Sequence, residues 1–233
     1  MSGHSKWATT KHKKALVDSK RSSTFTKLTK IIQIAARDGA DPDMNFKLRM
    51  AIDKAKSFSV PKDNIERAIA RGAGIGEGNV LEEITYEAYG PNGVALIIES
   101  VTDNKNRSAA DIKHLLSKHG GSLGASNSVM WQFDRRGVIY TKNTSLNDDQ
   151  ELSIIDAGAL DIENSDDEIR IITQMEDLQK VQEKIKNIVN IDNAELEYIP
   201  KTKVNVENTE TLDKLFEALE ENDDVNNYYS NAE

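Results

Sequence analysis

ITYEAYGPNGVALIIESVTDNKNRSAADIKHLLSKHGG, residues 84–121, changes its apolar spacing partway along. Ile84, Tyr86 and Ala88 alternate with Thr85, Glu87 and Tyr89, the period of a strand. GPNG at 90–93 supplies a turn, and VALIIESV at 94–101 runs on as a buried strand, so the pair predicts a hairpin. After TDNKN the spacing becomes helical. A helix from about Ser108 carries Ile112, Leu115 and Leu116 and stops at Gly120-Gly121. SVMWQF, 128–133, alternates Val129, Trp131 and Phe133 and predicts a third strand. Strands broken by a helix place this region in the α+β class.

Downstream, GVIYTK (137–142), a possible short strand near Leu160–Ile162, EIRIITQ (168–174) and AELEYIP (194–200) read as strands. QELSIIDAGA (150–159) and EDLQKVQEKIKNIV (176–189) read as helices between them. That βαββαβ order is the ferredoxin-like pattern. A further helix, ETLDKLFEALEEN, and the strand-like DVNNYYSN then remain without partners, while the unit at 80–134 lacks a second helix and a fourth strand. The strand count predicts that the C-terminal segment returns to that earlier unit.

Upstream, TFTKLTKIIQIAARD (24–38) places Phe25, Leu28, Ile32 and Ala35 on one helical stripe. Asp41-Pro42 fits the start of a second helix, with Asp as cap and Pro first, carrying Leu48, Ala51, Ile52 and Ala55. PKDNIERAIAR (61–71) is a third helix, ended by Gly72, and GAGIGEGN (72–79) is a linker. The expected organisation is a basic arm (1–22), a three-helix bundle (23–78), a discontinuous α/β domain (79–134 with 205–233) and an inserted ferredoxin-like domain (135–204).

The chain has 233 residues, which suits two or three small domains. No apolar run approaches the ~20 residues that span a bilayer, and no apolar stretch follows the basic start as in a secretory signal. With no cysteine, thiolate chemistry and cysteine metal sites are excluded, and a cytoplasmic setting is expected. Charge is strongly partitioned. Residues 1–75 hold 16 Lys and Arg against 7 Asp and Glu, whereas 76–233 hold 14 against 32. The net values of +9 and -18 predict a polyanion-binding end on an acidic, solubilising body.

The candidate binding residues follow from that partition. His4, Lys6, Trp7, Lys11, His12, Lys13, Lys14, Lys20 and Arg21 form a basic arm with Asp18 as its one acid, and Lys27 and Lys30 continue it into the first helix. Lysines displace counterions from phosphates, Trp7 can stack on an unpaired base, and the histidines can bond phosphate or ribose. Such contacts position a protein without reading sequence. A helix-turn-helix fits poorly, because SFSVPKDN contains Pro61 where that motif has a short turn. The bundle is read as a scaffold that presents the arm.

Asp103, Asn104, Lys105, Asn106 and Arg107 crowd a loop between a strand and a helix. They could hold a phosphate at the helix start, or simply cap it. His114 and His119 are spaced five apart, not the three or four of a helical metal site. The GAGIGEG run lacks the Lys-Ser/Thr of a phosphate loop, and no catalytic constellation stands out. No enzymatic activity, metal, cofactor, membrane contact or small-molecule substrate is expected.

GHSKWATTKHKKALVDSKR, FTKLTKII, SVPKDNIERAIARG and YEAYGPNGVALIIESVTDNKNRSAADIKHLLSKHGGSLGASNSVMWQFDRRGVI resemble the YebC/PmpR family. The resemblance is dense over residues 2–138 and thin beyond, reaching the closing DDVNNYYSN. It departs from the family pattern at Ala88, where glycine is usual, at Asn92 in the turn, and at Thr9-Thr10. The resemblance implies a helical bundle, a discontinuous α/β domain and a ferredoxin-like insertion. It also implies a DNA-binding transcriptional regulator or, as in relatives described as translation factors, a ribosome-associated protein that relieves stalling at proline-rich stretches. Duplex DNA and ribosomal RNA are thus the two expected partners. The arm, with cations and an aromatic but no base-reading helix, suits a folded RNA surface.

Overall fold

The computed structural model describes residues 18–75, 80–143, 145–164 and 168–233, with side chains from Ser22 onward. Its first unit is a bundle of α1 (Asp18–Ala35, continued by a 3-10 turn to Asp38), α2 (Phe46–Ser57) and α3 (Lys62–Gly72). Leu28, Ile32, Ala35, Leu48, Ala55 and Ile65 fill its core. The α2 start differs from the sequence expectation. The Asp41 carboxylate accepts from Asp43 N at 2.9 Å in a turn, and Asn45 is the cap. Asn45 does more than a cap needs. Its Oδ1 accepts from Leu48 N at 3.0 Å, while its Nδ2 donates to Ala35 O and Gly39 O at 2.8 Å each. One buried amide thus ties the end of α1 to the start of α2, which Asp41, without a donor, cannot do. Gly72 lets α3 cross α1 closely, since a Cβ there would lie 2.2 Å from Gln33 O.

The second unit is a sheet of β1 (Glu82–Tyr89), β2 (Ala95–Thr102), β3 (Ser122–Leu123) and the C-terminal β8 (Val225–Ser230), in the order β3-β1-β2-β8, all antiparallel. Asn92 and Gly93 take positive φ values of 59° and 76° in the β1–β2 turn, a backbone that Asn and Gly tolerate best. On one face, Leu96 and Ile98 pack under α4 (Lys105–Lys118) and α7 (Glu210–Glu221), against Ile112, Leu116, Leu215 and Phe216. On the other, Ala95 and Ile97 meet Val129, Phe133, Tyr198 and Tyr229. β2 is therefore buried on both faces, which accounts for its unbroken apolar run.

SVMWQF is not the third strand. Met130–Gln132 form a 3-10 turn, Trp131 is 68% exposed, and β3 comes earlier, at Ser122–Leu123. The Glu87 carboxylate decides this. It accepts from Val129 N at 2.8 Å, from Met130 N at 2.7 Å and from Asn127 N, so these amides cannot join a ladder.

Phe133 instead opens β4 (Phe133–Thr141), which begins the third unit. α5 (Asp148–Ala157), β5 (Ala159–Asn164), β6 (Ile169–Gln174), α6 (Leu178–Ile185) and β7 (Ile191–Pro200) complete it. The antiparallel order β5-β6-β4-β7 makes it ferredoxin-like. α6 ends at Ile185, short of the expected Val189. The chain is an α+β protein in which β8 returns to the sheet that the ferredoxin-like unit interrupts.

The units also share contacts. Phe46 and Met50 of α2 pack against the ferredoxin-like core, and Lys54 pairs with Glu195 of β7. Behind that pair, Arg170 bridges Glu163 at 2.6 Å and Glu197 at 3.0 Å, and Tyr140 donates to Glu197. Burial raises the Glu197 carboxyl above its usual range, against the opposing pull of Arg170.

Candidate nucleic-acid interface

The arm residues His4, Lys6, Trp7, Lys11, His12, Lys13 and Lys14 lie outside the described residues, as does part of the linker, 76–79. The arm joins the molecule at α1, whose backbone is helical from Asp18 and so includes Lys20 and Arg21.

Lys27 and Lys30 are placed differently from free phosphate ligands. Lys27 Nζ donates to Glu220 O at 2.6 Å. Its burial lowers its pKa from 10.5 to about 8, and nearby Asp223 and Glu220 only partly offset this. Lys30 Nζ donates to Asp224 Oδ1 at 2.9 Å, Asp223 O at 2.9 Å and Val101 O at 3.1 Å. Its three hydrogens are thereby used within the protein. Lys27 clamps α1 to the last turn of α7, and Lys30 clamps it to the segment between α7 and β8.

Asp224 is the hub of that clamp. Besides Lys30, Thr102 Oγ1 donates to it at 2.8 Å and Arg107 Nη2 lies 3.4 Å away. Burial would raise its pKa, but these hydrogen bonds and the Lys30 charge hold it below the usual range. Little in the sequence points to this hub, because EENDDV reads as a helix end and a turn.

The 103–107 loop feeds the same hub. Asn104 Oδ1 accepts from Arg107 N at 3.1 Å and caps α4. Arg107 Nη2 donates to Asp103 Oδ1 at 2.7 Å, and Lys105 pairs with Glu82. Asn106 lies exposed in the first turn of α4. The structure thus satisfies Asn104 as a cap and Arg107 as a carboxylate partner.

In α3, the Arg67 guanidinium is turned back on its own helix. Nε donates to Asp63 O at 3.1 Å and Nη2 to Asn64 Oδ1. Its outward face mixes Asp63, Glu66, Arg67 and Arg71, unlike a base-reading helix. Among the described residues no group of three or more His, Asp or Glu could hold a metal ion. None of their helices is long and apolar enough to cross a membrane.

Comparisons with known proteins cover nearly the whole chain. The family model described as "TACO1/YebC protein N-terminal domain" matches residues 5–75, and "TACO1/YebC second and third domain" matches 81–232. A "probable transcriptional regulatory protein" of Thermoanaerobacter pseudethanolicus is 49% identical, covering 100% of this chain and 97% of the relative. One from Chlorobaculum tepidum is 48% identical, covering 100% and 95%. The crystal structure of a conserved hypothetical protein from Aquifex aeolicus matches with a TM-score of 0.87 at 39% identity, over 97% of this chain and 96% of that one.

Proposed function

The chain belongs to the TACO1/YebC family, and from that premise we propose that it is a non-enzymatic, nucleic-acid-binding regulator of gene expression, acting in the cytoplasm through its basic N-terminal arm. The observation that carries this reading is the clamp on α1. Lys27 and Lys30 fix the helix to an acidic body, so the lysines before it join a rigid mount. Charge supports it, with +9 on residues 1–75 against -18 on the remainder. The acidic body disfavours coating of a polyanion and leaves the arm as the point of contact.

The names of the relatives point to transcription, and hence to duplex DNA. The turned-back Arg67 favours a second reading, in which the partner is ribosomal RNA and the protein assists translation. With Arg67 turned back, Arg71 is the one guanidinium left on the outward face of α3, among acids, so base reading in a major groove has little to work with. Shape, phosphates and unpaired bases of a folded RNA need none.

The test is co-sedimentation with ribosomes at near-physiological salt, with excess duplex DNA as competitor. The full chain is compared with a full-length variant in which Lys6, Lys11, Lys13 and Lys14 are each changed to Gln. Pelleting that resists DNA and is lost in the variant supports the RNA partner. Transfer to the DNA, again lost in the variant, supports the transcriptional one. Binding that the variant retains in full overturns the role of the arm.

A further inference from the structure

β4 and β7 bring two distant cationic stretches together. The pairing Phe133↔Pro200 sets WQFDRR (131–136) beside PKTK (200–203). These two stretches hold Arg135, Arg136, Lys201 and Lys203 with Asp134 as their one acid, which Lys201 meets at 3.5 Å, within a part of the chain whose net charge is -18. Arg135 lies over the Tyr198 ring at 5.5 Å, and Arg136 pairs with Asp134 at 2.9 Å. Lys201 and Lys203 are exposed.

Trp131 adjoins this patch with 68% of its surface exposed, the most exposed aromatic among the described residues. It is nevertheless held in place. Its indole Nε1 donates to Ser128 O at 3.1 Å, and its own carbonyl accepts from Lys201 Nζ at 3.0 Å. The preceding backbone is gripped by Glu87, and Gln132 O accepts from Lys201 N at 2.8 Å. A large ring presented to water on a fixed mount gains little for the fold, but it loses little entropy when a flat partner lies on it.

We infer that Trp131 is a stacking platform for an unpaired base of single-stranded RNA, with Lys201 and Lys203 meeting the flanking phosphates. It forms a second contact of the nucleic-acid-binding protein proposed above, and it rests on that reading. An aromatic face flanked by cations is the combination that single strands reward: stacking is tolerant of sequence, and the lysines track the backbone. The cations also argue for a polyanion over an apolar peptide on the same ring.

The test uses the full-length chain and a short fluorescein-labelled oligoadenylate RNA, with a duplex DNA of matched length beside it. Trp131→Ala is expected to weaken RNA binding roughly 5- to 100-fold while duplex binding changes far less. Trp131→Phe, which keeps a ring, should recover much of the loss. The chain has two tryptophans, so in Trp7→Phe the emission belongs to Trp131. It should be quenched saturably by the RNA, and this readout serves even if Trp131→Ala fails to fold. Unchanged RNA affinity in Trp131→Ala, unquenched emission in Trp7→Phe, or quenching by a proline-rich peptide and not by RNA would each overturn the platform. If the Lys-to-Gln arm variant alone loses binding, the platform falls and the reading above stands. If the wild-type chain binds neither nucleic acid, both fall.

Discussion

At Glu87 a carboxylate that is 8% exposed serves as an acceptor for the backbone of another segment. Burial works to raise its pKa, but amide hydrogen bonds from Val129, Met130 and Asn127 outweigh this and hold it below the ordinary range. A carboxylate has lone pairs for several donors, whereas the glutamine amide would turn an N–H toward one of these N–H groups. Glu87→Gln should therefore destabilise the protein by about 1–3 kcal/mol, read as a lowered urea midpoint. It should also loosen the Trp131 turn, read as changed tryptophan emission in the Trp7→Phe background. The contribution of Glu87 is present above the unfolded carboxylate pKa and lost as pH falls through the lower folded value, so the variant and the parent should converge in acid. The same residue explains why SVMWQF misled. Alternation of Val129, Trp131 and Phe133 is a real strand signal, but it cannot register a buried acceptor forty residues away in the chain.

At the scale of the element, α1 is legible as a helix from Phe25, Leu28, Ile32 and Ala35, and its bundle core is as the spacing requires. The fate of Lys27 and Lys30 was not legible, since periodicity separates a polar face from an apolar one but does not say what covers the polar face. The two lysines make opposite predictions. Removing Lys30 leaves Asp224 buried with fewer donors, so Lys30→Met should cost about 2–4 kcal/mol. Lys27 has no carboxylate hydrogen-bond partner that outweighs its burial, and Lys27→Met should be nearly neutral at pH 7. The signs with pH differ too. Between about 8 and 10.5 the folded state has released the Lys27 proton while the unfolded chain still holds it, so the burial penalty is relieved as pH rises. Urea midpoints from pH 7 to 10 should rise for the wild type relative to Lys27→Met. The carboxylate of Asp224, with its depressed pKa, contributes above the ordinary aspartate range and loses that contribution in acid.

At the scale of the whole molecule, charge is the organising quantity. If about five arm lysines meet phosphates of duplex DNA, log affinity should fall with log salt at a slope of about -4.5. Changing Lys6, Lys11, Lys13 and Lys14 to Gln should bring that slope to about -1, measured by fluorescence anisotropy across a salt series. An equal slope in both proteins would remove the electrostatic account of the arm. The acidic C-terminal segment has a structural part in this arrangement: Glu220, Asp223 and Asp224 hold the helix from which the arm extends.

The sequence by itself determined the class, the three units and the partition of charge along the chain. Those properties follow from apolar period and local charge, which act between near neighbours in the chain. It also carried enough of the ferredoxin-like pattern, and of the leftover C-terminal helix and strand, to require a returning segment. Only the tertiary structure decided which cations are free to meet a partner. Lys27 and Lys30 face carbonyls and a carboxylate almost two hundred residues away, whereas Lys201 and Lys203 stay exposed. A hydrogen bond depends on distance and angle in space, and β-pairing sets those across any separation in sequence.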